Sequence, residues 1–217
     1  LSMPTAWTNK YQLLLYKGAA RHRFAVAGVT LPESLAHVSW PGPVVLHAHW
    51  FASAFAGIRS ERMAMARLGE VIDSIEMFRT RNNARLVWTA HNVFPHGNRL
   101  PGTFLALRQW IYETFDAIHV MSADHLPVLE QAFGRTPRAS FVQPHMLYEG
   151  ILPATVDRAT ARAWFGLPPE ARVFGYFGSI QDYKGLDLMV DAVIGLTDAA
   201  GPSSPPVRAL IGGLPTD

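Results

Sequence analysis

The chain has 217 residues, 19 Lys and Arg against 17 Asp and Glu, a formal charge of +2, no cysteine and 49% apolar residues. This composition excludes a disordered chain, which is poor in apolar residues, and a disulfide scaffold, which needs cysteines. It argues against a nucleic-acid binder, which usually carries a clustered basic stripe. Charged residues make up only 17% of the chain, so we expect part of its surface to be covered.

Strands and helices alternate along the first two thirds of the chain. A helix around 13–16, with Asn9 as its N-cap, comes before predicted strands at 24–29, 44–48, 86–90, 117–121 and 140–142. Apolar residues at helical spacing predict further helices at 68–82, 104–115 and 126–133. This alternation predicts an α/β fold with a Rossmann-like, doubly wound parallel sheet. The first helix starts so early that it leaves little room for a strand before it.

The α/β pattern restarts after a connector rich in proline. We predict a first domain at 1–152, a connector at 153–171 with a helix at 158–165, and a second domain at 172–217. The second domain has a strand at 172–177, a helix at 184–196 and a strand at 207–211. One β-α-β unit is too small to bury its own core, so we expect the second Rossmann-like domain to be incomplete.

Polar residues follow the strand at 86–90. His91 and Asn92 should project into the crevice at the carboxyl end of the sheet, where such folds bind ligands. A neutral imidazole there can bind a sugar hydroxyl or transfer a proton near neutral pH. The alternative is a histidine that only stabilises its loop. Position in the fold favours function for His91, whereas both interpretations stay open for His96.

Two further histidine sites follow other strands. His47 and His49 lie on the same strand face because side chains alternate along a strand, so they could be metal ligands or polar groups of the crevice. Trp50 next to them is either a stacking platform or, as we favour, a core residue. His145, after the strand at 140–142, either lines the crevice or belongs to the hinge.

The second domain opens with a strand, a glycine turn and a helix. Free N–H groups at a helix N-terminus attract anions, and Lys184 adds a point charge suited to phosphate. Gly178, Ser179 and Lys184 could therefore hold a diphosphate. The alternative is an ordinary turn with a solvated lysine, and the pattern is neither of the common phosphate-binding glycine motifs.

Four motifs in order resemble the two-Rossmann (GT-B) glycosyltransferases, specifically retaining family 4. The stretch 47–50, His-Ala-His-Trp, is similar to the H-x-H-W strand end of some members. The stretch 87–96 resembles their v-w-T-x-H-N-x-x-P-H, and 144–148 resembles the i-P-H-x-x-Y that closes the N-terminal domain. The stretch 177–185 resembles the F-G-x-I-R-x-Y-K-G that opens the C-terminal domain.

The resemblance implies transfer of a sugar from a nucleotide-diphosphate sugar to a hydroxyl acceptor, with retention of configuration and no metal or other cofactor. His91 would be the catalytic residue beside the donor sugar, and Lys184 would bind the diphosphate with Gly178 and Ser179. Further substrate-binding positions would be Asn9, His49, Asn92, His96 and His145. The basic residue usual before the lysine is absent, since positions 179 and 181 hold Ser179 and Gln181.

The family's paired glutamates would lie beyond Asp217, so we expect this polypeptide to be inactive without the rest of the C-terminal half or a partner subunit. Relatives act in polysaccharide or glycolipid biosynthesis, so a saccharide or lipid-linked acceptor and peripheral membrane contact are consistent with the resemblance. The absence of cysteine and of a signal peptide predicts a cytoplasmic protein. Two other functions stay open: a metal-dependent hydrolase using His47, His49 and His91, and a non-catalytic half-transferase subunit.

Overall fold

The computed structural model describes residues 1–5, 10–97, 99–148, 151–152 and 156–214. The chain divides into two compact units, Leu1–Tyr148 and Glu149–Asp217, and the first unit ends slightly before the domain boundary predicted at residue 152. Asn9, the predicted cap of the first helix and a predicted substrate-binding residue, lies outside the described residues.

The first unit is built on a five-stranded sheet in which each strand is parallel to the next. In spatial order the strands are β1 (Ser2–Met3), β2 (Val45–Ala48), β3 (Arg85–Thr89), β4 (Ala117–Val120) and β5 (Ser140–Val142). The helices between them are α1 (Lys10–Leu15), α2 (Glu61–Asn82), α3 (Pro101–Thr114) and α4 (His125–Phe133). This arrangement confirms an α/β, Rossmann-like fold.

The core of this unit lies between the sheet and its helices. Fully buried apolar residues of β3, such as Leu86 and Trp88, pack in one cluster with Ile75 of α2 and Leu107 of α3. The strands are apolar and short because both faces of a parallel sheet are usually covered. Asn83 ends α2 in the left-handed conformation, with φ of 47°, a role that Asn can fill in place of glycine.

The structure corrects two predictions at the start of the chain. The segment 24–29 is not a strand, because its pairing is limited to one bridge between Gly28 and Ser2. Conversely, the strand β1 is present: the backbone N–H groups of His47 and His49 donate to the carbonyls of Leu1 and Met3 at 2.7 Å. Two residues are enough for this pairing, so β1 fits into the short space before α1.

β1 lies where the chain continues first on one side of the strand and then on the other. Gly28 pairs with one side of Ser2 and His47 with the other. The chain therefore passes from one edge of β1 to the opposite side, where β2 to β5 follow. In parallel sheets such a switch point opens a crevice at the carboxyl ends of the strands, and ligands bind there.

The second unit contains α5 (Arg158–Trp164), β6 (Arg172–Phe177), α6 (Leu186–Asp198) and β7 (Val207–Gly212), with β6 and β7 parallel. The predicted helix start at residue 184 is wrong. Lys184 belongs instead to a short 3-10 turn, Asp182–Lys184, because Gly185 has φ of 66° and separates this turn from α6.

Large apolar side chains are exposed in the second unit. Phe177 is 96% exposed and Leu188 is 71% exposed, whereas among the described residues of this unit only Ala171 and Val207 are buried. A two-stranded sheet with two short helices buries little apolar surface. Separately, the described part of the chain contains no helix that is both long and apolar enough to span a membrane.

Candidate functional site

The predicted histidines meet at the carboxyl ends of β2 and β3. His47 lies in β2, His49 directly follows it, and His91 lies two residues beyond β3. Parallel strands end at the same edge of a sheet, so the three imidazoles come together beside the switch point at β1. His49 is fully buried, with 1% of its surface exposed, whereas His91 and His47 are half-buried.

Hydrogen bonds link these histidines through a tyrosine. His91 Nε2 lies 3.2 Å from His49 Nδ1, and His49 Nε2 lies 2.8 Å from the hydroxyl of Tyr16. The same hydroxyl lies 2.8 Å from His47 Nδ1. Tyr16 therefore bridges the two histidines that the sequence places on one face of β2.

The series of hydrogen bonds continues from His47 to the backbone of Gln143, the residue directly after β5. His47 Nε2 lies 2.7 Å from Thr89 Oγ1, which lies 2.9 Å from His119 Nδ1. His119 Nε2 in turn lies 3.0 Å from the carbonyl oxygen of Gln143. We call this series the histidine chain; its members are His91, His49, Tyr16, His47, Thr89, His119 and the backbone carbonyl of Gln143.

Burial keeps these imidazoles neutral near pH 7. Desolvation, with repulsion from the neighbouring imidazoles, lowers the pKa of His49 to about 2 and that of His47 to about 3. The same causes lower the pKa of His91 to about 4, and desolvation lowers the pKa of His119. Burial also raises the pKa of Tyr16 to about 12, so its hydroxyl keeps its proton.

The carbonyl of Gln143 sets the direction of the whole chain. A carbonyl only accepts hydrogen bonds, so His119 must donate to it from Nε2. A neutral imidazole has one N–H, so His119 Nδ1 must accept, and Thr89 donates its single hydroxyl hydrogen to it. The oxygen of Thr89 then accepts from His47 Nε2.

The same reasoning fixes the remaining tautomers. Because His47 carries its proton on Nε2, its Nδ1 accepts the hydroxyl hydrogen of Tyr16. The oxygen of Tyr16 then accepts from His49 Nε2, and His49 Nδ1 accepts from His91 Nε2. All four histidines of the chain therefore carry their proton on Nε2.

His91 differs from the other three histidines because its second nitrogen stays available. In the described part of the chain, no hydrogen bond is recorded to His91 Nδ1, while the Nδ1 atoms of His47, His49 and His119 all accept one. A proton added at His91 Nδ1 breaks no bond of the chain. The histidine chain thus leaves one of its acceptor atoms available, Nδ1 of His91, at the carboxyl edge of the sheet.

Aromatic rings hold the imidazole of His91 in place. The ring of Trp50 stacks on it, with centroids 4.2 Å apart and planes 19° apart, and Tyr11 meets it edge-on at 4.9 Å. Trp50 is only half-buried, so it is a stacking partner of His91 and not the core residue that we favoured. His145 joins the same group, since its ring lies 5.0 Å from that of Tyr11.

Two cavities adjoin His91 and Asn92, which line both of them. The smaller, of about 30 Å³, is also lined by Trp50, Trp88 and Arg108. The larger, of about 170 Å³, reaches His125 and other residues of α4. His96 lies in the exposed part of the loop after β3 and lines neither cavity.

Sequence reasoning does not identify four polar residues of this site: Tyr16, Thr89, Arg108 and His119. A usable signal exists for His119, which is a histidine within an otherwise apolar strand, and for Thr89, which belongs to the same stretch as His91. Tyr16 gives no such signal, because it follows α1 and reaches β2 only through the tertiary fold.

The predicted phosphate-binding residues also come together, within the second unit. Lys184 Nζ donates to Ser179 Oγ at 2.8 Å, and a Cβ atom on Gly178 would lie 3.6 Å from the same Nζ. Gly178 has φ of 137°, a conformation that favours glycine. The first turn of α6 begins after Gly185 and contains one acidic residue, Asp187.

Metal binding receives no geometric support at this site. The described residues contain no group of three or more His, Cys, Asp or Glu side chains that could hold a metal ion. His47 and His49 use both ring nitrogens in hydrogen bonds.

No protein-family model matches the chain, and no curated protein sequence matches it. The functional assignment therefore depends on the geometry of the site.

Proposed function

We propose that the protein is a nucleotide-sugar-dependent glycosyltransferase, with His91 beside the sugar that is transferred. The observation that carries the proposal is His91 Nδ1, the one acceptor atom that the histidine chain leaves available among the described residues, at the carboxyl edge of a parallel sheet next to its switch point. A neutral imidazole with a fixed tautomer is suited to accept a hydrogen bond from a sugar hydroxyl. Asn92 can donate or accept a second hydrogen bond from the same edge.

The second unit would hold the diphosphate of the donor. A leaving diphosphate is stabilised by positive charge and by backbone N–H groups directed at it. Lys184 supplies the charge, its contact with Ser179 positions the ammonium group, and the N-terminal turn of α6 supplies N–H groups. Ser179 and Gln181 stand where the glycosyltransferases that the sequence resembles carry a basic residue, so Lys184 would be the main cation of this loop.

The same proposal assigns a role to each of the two units and a chemical class to the acceptor. The first unit would be the acceptor-side domain of a GT-B enzyme and the second the start of its donor-side domain. The acceptor would be a saccharide or a lipid-linked saccharide of polysaccharide or glycolipid biosynthesis, reached in the cytoplasm or at a membrane surface.

Binding of nucleoside diphosphates tests the role of Lys184. We would titrate UDP and GDP into the chain by calorimetry and compare Lys184→Ala with Lys17→Ala, an exposed lysine of the first unit. A charge-assisted hydrogen bond contributes about 1.5–3 kcal/mol, so we expect Lys184→Ala to weaken binding roughly ten- to a hundredfold and Lys17→Ala to leave it unchanged. Equal binding by both variants would refute the role of Lys184. Failure of the unaltered chain to bind any nucleoside diphosphate would count against the proposed function.

A further inference from the structure

Arg108 is a buried cation in the middle of α3. Only 4% of its surface is exposed. Its guanidinium carbon lies 4.5 Å above the ring of Trp88, and Nε donates weakly to the carbonyl of Val93 at 3.4 Å. The helix therefore directs a charged group inward, next to the edge of the sheet that carries His91.

This guanidinium lacks an anionic partner. Its Nη1 atom is buried and forms no hydrogen bond with any described residue. Arg108 also belongs to none of the ion pairs in the described part of the chain. Burial lowers the pKa of Arg108 to about 9, which still leaves it cationic at neutral pH. Buried charges in proteins are normally paired, and the Nη1 donor of Arg108 is not used within the described residues.

Arg108 lines a small cavity together with His91. It measures about 30 Å³, and its walls are the aromatic rings of Trp50 and Trp88 with His91, Asn92 and Arg108. None of the described residues that line it has a carboxylate side chain. This volume has room for roughly two water-sized groups, which corresponds to the two oxygens of a carboxylate better than to the four oxygens of a phosphate.

We infer that this cavity binds the carboxylate group of a ligand through Arg108. The planar guanidinium can form two parallel hydrogen bonds with a carboxylate, and its carbon packs 4.5 Å from the ring of Trp88. His91 lines the same cavity, so the carboxylate belongs to a molecule that also reaches His91. Under the proposed function this molecule is an acidic sugar, carried either by the donor or by the acceptor.

Carboxylate binding is measured directly, without any transfer reaction. We would titrate sodium acetate and sodium glucuronate into the chain. Sodium chloride at equal ionic strength is the control for salt, and glucose is the uncharged control for glucuronate. The variants are Arg108→Met, which keeps the volume without the charge, and Arg62→Met, which removes an exposed arginine of α2. Changes in the amide spectrum near His91 report binding at this cavity.

We expect acetate and glucuronate to bind the unaltered chain and Arg62→Met alike, and to bind Arg108→Met roughly ten- to a hundredfold more weakly. Arg108→Lys keeps a charge but loses the fork, so it should bind with intermediate affinity, and it serves if Arg108→Met does not fold. Equal affinity for the Arg108 variants and the unaltered chain, or no binding of either acid, would overturn the inference.

The source of the carboxylate is distinguished by a second comparison. Preference for UDP-glucuronic acid over UDP-glucose, lost in Arg108→Met, assigns the acid to the donor. Preference for free glucuronate over glucose with no such donor preference assigns it to the acceptor. UDP binding depends on Lys184 under the proposed function, so a failure of that proposal and a failure of this inference give different results.

Discussion

Mild acid should destabilise the first unit, because its histidine chain is neutral when folded and charged when unfolded. The pKa of His91, His49 and His47 lies at about 4, 2 and 3 in the folded protein, against about 6.5 in an unfolded chain. The folded state therefore binds fewer protons than the unfolded state below pH 6.5. The stability that these groups contribute is complete above that pH and declines as the pH falls toward the folded values.

The size of the effect follows from linkage. At pH 5 an imidazole with an unfolded pKa of about 6.5 and a folded pKa of about 4 or lower destabilises the fold by about 2 kcal/mol. These three groups together give about 6 kcal/mol, which is comparable with the whole stability of a typical domain, about 5–15 kcal/mol. The free energy of unfolding should then fall by up to about 4 kcal/mol per pH unit near pH 5.

Urea denaturation at pH values between 7.5 and 5 measures this dependence. Tryptophan fluorescence follows the first unit, because Trp88 is fully buried there whereas Trp164 of the second unit is already 68% exposed. His49→Gln is the matched variant, since it removes one titrating imidazole from the chain. Its free energy of unfolding should change with pH about a third less steeply than that of the unaltered protein.

A free energy of unfolding that stays constant between pH 7 and pH 5 would refute the reasoning. So would a pH dependence that is unchanged in His49→Gln, because the protons would then be taken up elsewhere.

Further predictions test the histidine chain, through its protonation and Tyr16, and the second unit, through two of its glycines. Nitrogen-15 spectra at neutral pH should show His47, His49, His91 and His119 all protonated at Nε2, and an Nδ1 proton on any of them contradicts the assigned direction. Tyr16→Phe removes the bridge between His47 and His49 and should cost about 1–3 kcal/mol of stability by leaving the N–H of His49 unpaired. Gly213→Ala should destabilise the second unit by about 1–3 kcal/mol, because the added Cβ would overlap the carbonyl oxygen of Gly178. Gly195→Ala in α6 meets nothing within 4 Å and should instead stabilise it by up to about 1 kcal/mol; circular dichroism during thermal unfolding distinguishes the two, and a Gly213→Ala protein as stable as the original contradicts the packing.

Sequence patterns located most strands and helices because those elements follow local rules. The apolar run of β3 and the helical spacing of α2 each appear in a continuous window, and Gly134 ends α4 in the left-handed conformation, as glycine commonly does after a helix. The strand predictions were wrong at the start of the chain, where hydrogen bonds between strands, and not the local sequence pattern, determine which segment is a strand. β1 has only two residues and exists through hydrogen bonds to β2, whereas 24–29 resembles a strand but pairs only at Gly28.

The carboxyl edge of the sheet was also predictable, since His47, His49 and His91 each follow or end an apolar run. Sequence alone determined that these three histidines stand at that edge, but not that Tyr16, Thr89 and His119 join them there. It did not determine their protonation, because the direction of the histidine chain depends on the carbonyl of Gln143 and on the hydroxyl of Tyr16, both distant along the chain. Only the tertiary structure decided which nitrogen of His91 stays available, since that depends on bonds across four strands and on the burial that keeps every imidazole neutral.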